Sequence, residues 1–140
     1  MWMLYAGGSA VAAALVAILG KMGLSGVDPT QATIVRGVVM ALVLVAGGLA
    51  FGKFAGFSIG ALGGRAWVFI LLSALAGAAS WLLYFFALQA GPASAVAVID
   101  KMSVVLVIFL AAAFFGEALT TRSVLGVVLT IAGAVLIVFK

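Results

Sequence analysis

Residues 93–115 read ASAVAVIDKMSVVLVIFLAAAFF. A run of this length crosses a bilayer as a helix, since about 20 apolar residues rising 1.5 Å each cover the roughly 30 Å hydrocarbon core. Its only ionisable side chains are Asp100 and Lys101, placed side by side. What two charges are doing there depends on the solvent around the segment, because an ionised group at depth in hydrocarbon needs a partner, water or a path to the interface.

Composition identifies that solvent. The 140 residues are 68% hydrophobic and 7% charged, with a mean hydropathy of +1.48. Soluble domains are about 45–50% apolar and about 25% charged. A chain this short leaves too much surface exposed to hide such a content from water. The fold class is therefore an all-α integral membrane protein. Alternating ten-residue segments of the kind that build a membrane β-barrel are absent from the sequence.

Working outward from residues 93–115, four further segments are long and apolar enough to span: 2–19, 29–51, 67–88 and 121–139, giving five transmembrane helices in a single domain over 1–140. The amino terminus lacks a basic leader region and its apolar run outlasts a signal sequence, so 2–19 is read as a mature span. Between spans, Asp28-Pro29-Thr30-Gln31 offers an N-cap, a proline at the first helical position and a variant capping box. Gly91-Pro92 marks a tight antiparallel hairpin, and Thr120 or Thr121 caps the last span. The longest connection, GKFAGFSIGALGGR (residues 52–65), is glycine-rich with Phe54, Phe57, Ile59 and Leu62 interspersed, which suits the membrane interface.

Chemistry is limited by what the chain lacks. With no cysteine and no histidine, disulfides, thiol or imidazole catalysis and the usual zinc or haem ligands are ruled out. The three acids (Asp28, Asp100, Glu117) are too scattered for a catalytic carboxylate pair, so no enzyme, cofactor or metal site is expected. The net charge of +4 comes from dispersed bases rather than a patch, and nucleic acid is not an expected partner. Lys53, Arg65 and Arg122 fall on the amino-terminal side of the membrane, and Lys21, Arg36 and Lys140 toward the other. A Lys/Arg bias orients a membrane protein, and an even split fits a chain that inserts both ways.

Depth arithmetic links several polar residues. Counting from Pro29, Arg36 is the eighth residue of the second span, and counting from Pro92, Asp100 is the ninth of the fourth, and both spans start on the same side. Each thus sits about 10–12 Å below that face. Adjacent residues point about 100° apart on a helix, so Asp100 and Lys101 are expected to be poor partners for each other, with Arg36 the first candidate to pair with Asp100. Trp81 and Tyr84 lie at a similar depth and carry an N–H and an O–H. Arg36, Trp81, Tyr84, Asp100 and Lys101 are the candidate solute-binding or gating residues. The plainer reading is a structural clamp between helices, with Lys101 snorkelling outward along its own stem. Glu117 and Arg122 are placed to pair structurally. Ser73, Gly77, Ser80, Trp81 and Tyr84 form one small-and-polar face of the third span, suited to a wet path or close packing. Gly126, Thr130 and Gly133 form a helix-packing or dimer face of the last.

Residues 87–138 resemble the carboxy-terminal half of an EamA domain of the drug/metabolite transporter superfamily, through Gly91-Pro92, Asp100-Lys101-Met102-Ser103, Gly116-Glu117 with Leu119-Thr120, and Gly126 with Ala132-Gly133. The stretch ALVAILGKMGLSGVDPTQATIVRG resembles the start of the five-span bacterial and archaeal members. The resemblance implies a half-size transporter of the inner (cell) membrane, exporting a small metabolite, amino acid or drug-like solute by alternating access. Ten-span members contain two such units in inverted repeat. Two copies of a five-span chain inserted oppositely would rebuild that architecture as an antiparallel homodimer. Proton-coupled export and uniport both fit these residues. The small multidrug exporters are a poorer match, since they resemble a four-span chain with a glutamate in the first helix. A channel, or an accessory subunit of a larger membrane complex, is the competing class.

Overall fold

The computed structural model describes residues 1–58, 60 and 63–139; the loop residues Ile59 and Leu62 and the terminal Lys140 lie outside the described residues. Among the described residues all regular structure is helical: α1 (Trp2–Gly23), α2 (Pro29–Ala50), α3 (Gly64–Ala90), α4 (Ala93–Asp100), α5 (Ser103–Phe115) and α6 (Thr121–Val138). Among the described residues five spans are long and apolar enough to cross a membrane, α4 and α5 together making one of them.

The expected continuous helix over 93–115 is therefore corrected to two. At the junction the Met102 amide donates to Ile99 C=O (2.9 Å), that of Val104 to Lys101 (3.0 Å) and that of Val105 to Met102 (3.0 Å). A continuous α-helix would send these amides one residue further back, so the turn is wound as 3₁₀. Lys101 and Met102 both keep right-handed dihedrals (φ −68°, ψ −11° and φ −61°, ψ −17°). The backbone stays hydrogen-bonded through the interruption, as hydrocarbon requires. Neither glycine nor proline lies at the break, and the charged pair is what distinguishes this stretch of the span.

Other boundaries shift by a few residues. α1 runs on to Gly23 and α3 begins at Gly64 and ends at Ala90, because the glycines at those ends do not stop a helix unless the chain turns there. The turn after α1 comes at Gly26, whose φ of +75° is left-handed. Asp28 caps α2 through hydrogen bonds from the amides of Thr30 (2.8 Å) and Gln31 (3.1 Å). α2 then closes in a Schellman motif: Lys53 N–H donates to Gly48 C=O and Gly52 N–H to Leu49 C=O, with Gly52 left-handed at φ +63°. The chain folds back so that the Phe54 ring covers Gly48, where a Cβ would stand 2.6 Å from the ring. Thr120 caps α6 by accepting from the Ser123 amide at 3.2 Å.

The chain divides into two compact units. One joins residues 1–21 to the segment from Ala90 onward; within it α4 packs against α6, and Val96, Val127 and Ala134 are buried. Here Lys21 Nζ, in the last turn of α1, donates to Gly91 C=O at 2.9 Å. The other unit, Met22–Gln89, contains α2 and α3; Leu24, Phe85 and Leu88 are buried, and Gln89 Nε2 donates to Val27 C=O at 3.1 Å. Large apolar side chains are otherwise outside, with Leu44 71% and Leu136 76% exposed. In water that exposure would cost about 25 cal/mol per Å²; against lipid tails it costs nothing, which is why a chain with so few buried residues can be folded.

Candidate solute-binding site

Three of the five candidate residues come together on α2 and α3. Trp81, Tyr84 and Phe85, spaced three and four apart, share one face of α3. Trp81 meets Tyr84 edge to face with ring centroids 5.8 Å apart and Phe85 at 6.2 Å; Tyr84 and Phe85 are 6.3 Å apart. Arg36 lies on this cluster, its Cζ 3.4 Å from the Trp81 ring centroid and 5.5 Å from that of Phe85. Trp81 thus offers Arg36 the face of its ring, where the sequence reading had looked to its N–H. The negative face of the indole stabilises the cation by about 2 kcal/mol where water is excluded, and it does so without a carboxylate. No hydrogen bond to the guanidinium is formed among the described residues. Phe85, only 4% exposed, was missed by the sequence reading, although its place four residues after Trp81 was the available signal.

Asp100 and Lys101 do pair with each other, which corrects the sequence expectation. Lys101 Nζ lies 3.4 Å from Asp100 Oδ2. The 100° separation of neighbouring residues applies to Cβ atoms, whereas a lysine tip on a four-carbon stem can swing back across it. Of the residues three and four positions from Asp100 or Lys101 (Val96, Ala97, Val98, Ser103, Val104 and Val105) only Ser103 is polar and none is charged, so no competing ion-pair partner lies along the same span. Within its own unit Arg36 lies on Trp81, and within its own unit Asp100 pairs with Lys101. The lysine side chain is 60% and the aspartate 37% exposed, and the pair sits on the 3₁₀ turn. Asp100–Lys101 is the only ion pair among the described residues, so Glu117 and Arg122 do not form theirs; left-handed Gly116 (φ +68°) ends α5 and carries Glu117 off the helix.

On α6 the Thr130 hydroxyl donates back to Gly126 C=O at 2.7 Å, so its proton is committed to its own helix. A Cβ at Gly126 or Gly133 would meet nothing within 4 Å. This face is open in the single chain, a geometry that suits close approach by another helix.

Comparison with known proteins places these features. The profile of the EamA-like transporter family matches residues 1–139. A Sinorhizobium protein described as "Uncharacterized transporter in cobO 3'region" is 41% identical over 136 residues, which cover 97% of this chain and 95% of that protein. No solved structure is significantly similar to the chain. A match over nearly the whole length, on five apolar spans with charge at depth in two of them, makes this multi-pass membrane protein a member of the EamA-like transporter family.

Proposed function

We propose that the chain exports a small metabolite, amino acid or drug-like solute across the inner (cell) membrane by alternating access, working as an antiparallel homodimer. The observation that carries this reading is the interruption of the fourth span at its charged pair. A 3₁₀ turn within a spanning helix often marks a hinge, and a charged pair on it supplies polar groups where transporters bind solute or bend. Arg36, Trp81 and Tyr84 serve as solute contacts, and Asp100 with Lys101 as the gate. The odd number of spans and the even split of basic residues support assembly of two oppositely inserted copies, with the open Gly126–Thr130–Gly133 face available for helix packing.

Function is tested by efflux of a labelled mixture of amino acids and organic acids from proteoliposomes. Asp100→Asn is expected to slow efflux about tenfold or more, the scale of a 1–3 kcal/mol conformational coupling. Its thermal midpoint should barely move, because exposed ion pairs contribute little stability. Unchanged efflux in Asp100→Asn with a normal fold favours an accessory subunit instead. Equal wild-type rates with and without a pH gradient identify uniport.

Orientation is tested separately. Ser25 and Ser58 are exposed, α2 lies between them, and the chain contains no cysteine. Ser25→Cys and Ser58→Cys, probed singly in intact cells with a membrane-impermeant maleimide, are both expected to label partially. Labelling of only one of them would rule out insertion both ways.

A further inference from the structure

We propose that Arg36 is an anion hook, and that the transported solute carries a carboxylate on an apolar body. This inference rests on the transporter reading above and adds the chemical class of its substrate.

The argument starts from how the guanidinium is held. An arginine is always charged at any accessible pH, and Arg36 sits eight residues inside a spanning helix. Its unit, Met22–Gln89, contains one acid, Asp28, which caps the start of α2 by accepting through Oδ1 from the amides of Thr30 and Gln31. In sequence, no acid occurs between Asp28 and Asp100, and Asp100, in the other unit, pairs with Lys101. The aromatic cluster occupies one face of the guanidinium at van der Waals distance. It leaves the N–H groups, which lie in the guanidinium plane, without a hydrogen-bond partner among the described residues. Arg36 is partly exposed, so that donor edge is not sealed away.

A charge held this way at membrane depth is expensive unless something completes it. A ring face satisfies the cation's field in part but accepts none of its protons in line. The fork of parallel N–H donors matches a carboxylate in two-point geometry, with strong charge-assisted bonds. Trp81, Tyr84 and Phe85 beside it favour a solute whose remainder is apolar. Stacking also holds the plane of the fork, so less side-chain entropy is lost when the anion docks.

The test uses cyclohexanecarboxylate as probe and its uncharged carboxamide as control, on full-length protein in lipid nanodiscs. Trp2→Phe and Trp67→Phe together leave Trp81, in van der Waals contact with Arg36, as the sole indole reporter. The carboxylate is expected to change Trp81 emission saturably, and the carboxamide about tenfold more weakly or not at all. Arg36→Gln should abolish the preference, and Arg36→Lys should recover only part of it, because a lysine presents a point charge rather than a planar fork. Equal responses to the two probes with Arg36 intact overturn the proposal, and that comparison needs no variant at position 36. A preference that survives in Arg36→Gln overturns it as well. Efflux from proteoliposomes separates the two readings. Solute efflux that the carboxylate does not compete with leaves the transporter standing and removes the hook. Saturable, Arg36-dependent binding without efflux of any solute keeps the hook and removes the export reading.

Discussion

Trp81→Ala is expected to lower stability by about 2–4 kcal/mol, combining a lost aromatic contact with the loss of the surface that holds Arg36. The indole is the nearest group to the guanidinium, 3.4 Å from Cζ, and Phe85 at 5.5 Å is too far to replace it. Removing the ring leaves a cation on a spanning helix with only the more distant Phe85 face beside it. Unfolding in detergent, followed by circular dichroism, measures the loss. A double-mutant cycle assigns its cause. Arg36→Met removes the charge that needs the ring, so Trp81→Ala should cost much less in that background. A coupling energy of about 1–2 kcal/mol is expected, and additivity to within about 0.5 kcal/mol would show that the ring merely fills space. Trp81→Phe, which keeps an aromatic face, should lie between the two.

Leu88→Ala is the second large effect, about 2–5 kcal/mol by the same unfolding measurement. Leu88 is fully buried at 0% exposure, in a chain that buries few residues at all. Lipid cannot follow a shortened side chain into an enclosed site, so the cavity remains and the lost contacts are not replaced. Leu83, five residues earlier on the same helix, is 70% exposed. Leu83→Ala should cost well under half as much, because lipid fills the space. If both substitutions cost the same, burial inside the chain is not what holds α3.

The spans were legible because their cause is local. Apolar length and the need to satisfy every backbone group within its own segment make helices of residues 2–23, 29–50, 64–90 and 121–138 whatever they pack against. Caps were legible for the same reason: Asp28 and Thr120 reach amides two or three residues away. The Schellman end of α2 was not anticipated, since its signal is one glycine, Gly52, in a loop with several.

Side-chain partners were less legible. Depth counting placed Arg36, Trp81 and Tyr84 in one layer, and the structure joins all three, yet it could not tell that Arg36 would lie flat on a ring. Facing direction depends on how α2 is rotated against α3, which no count along one helix contains. The same gap explains Phe85, whose value as a neighbour appears only once the Trp81 face is known to carry a cation. For Asp100 and Lys101 the helical wheel fixes only the Cβ directions, and the lysine side chain is long enough to reach back across them.

What the residues alone determined is the solvent, the helical class, the number of spans and most of their ends, because hydrocarbon leaves the backbone no alternative. Only the tertiary structure decided where the charges go. It wound the fourth span into a 3₁₀ turn beside Asp100–Lys101 and laid Arg36 on Trp81. Those outcomes turn on how one helix is rotated against its neighbour and on how far a side chain reaches, and neither is counted along a single stretch of chain.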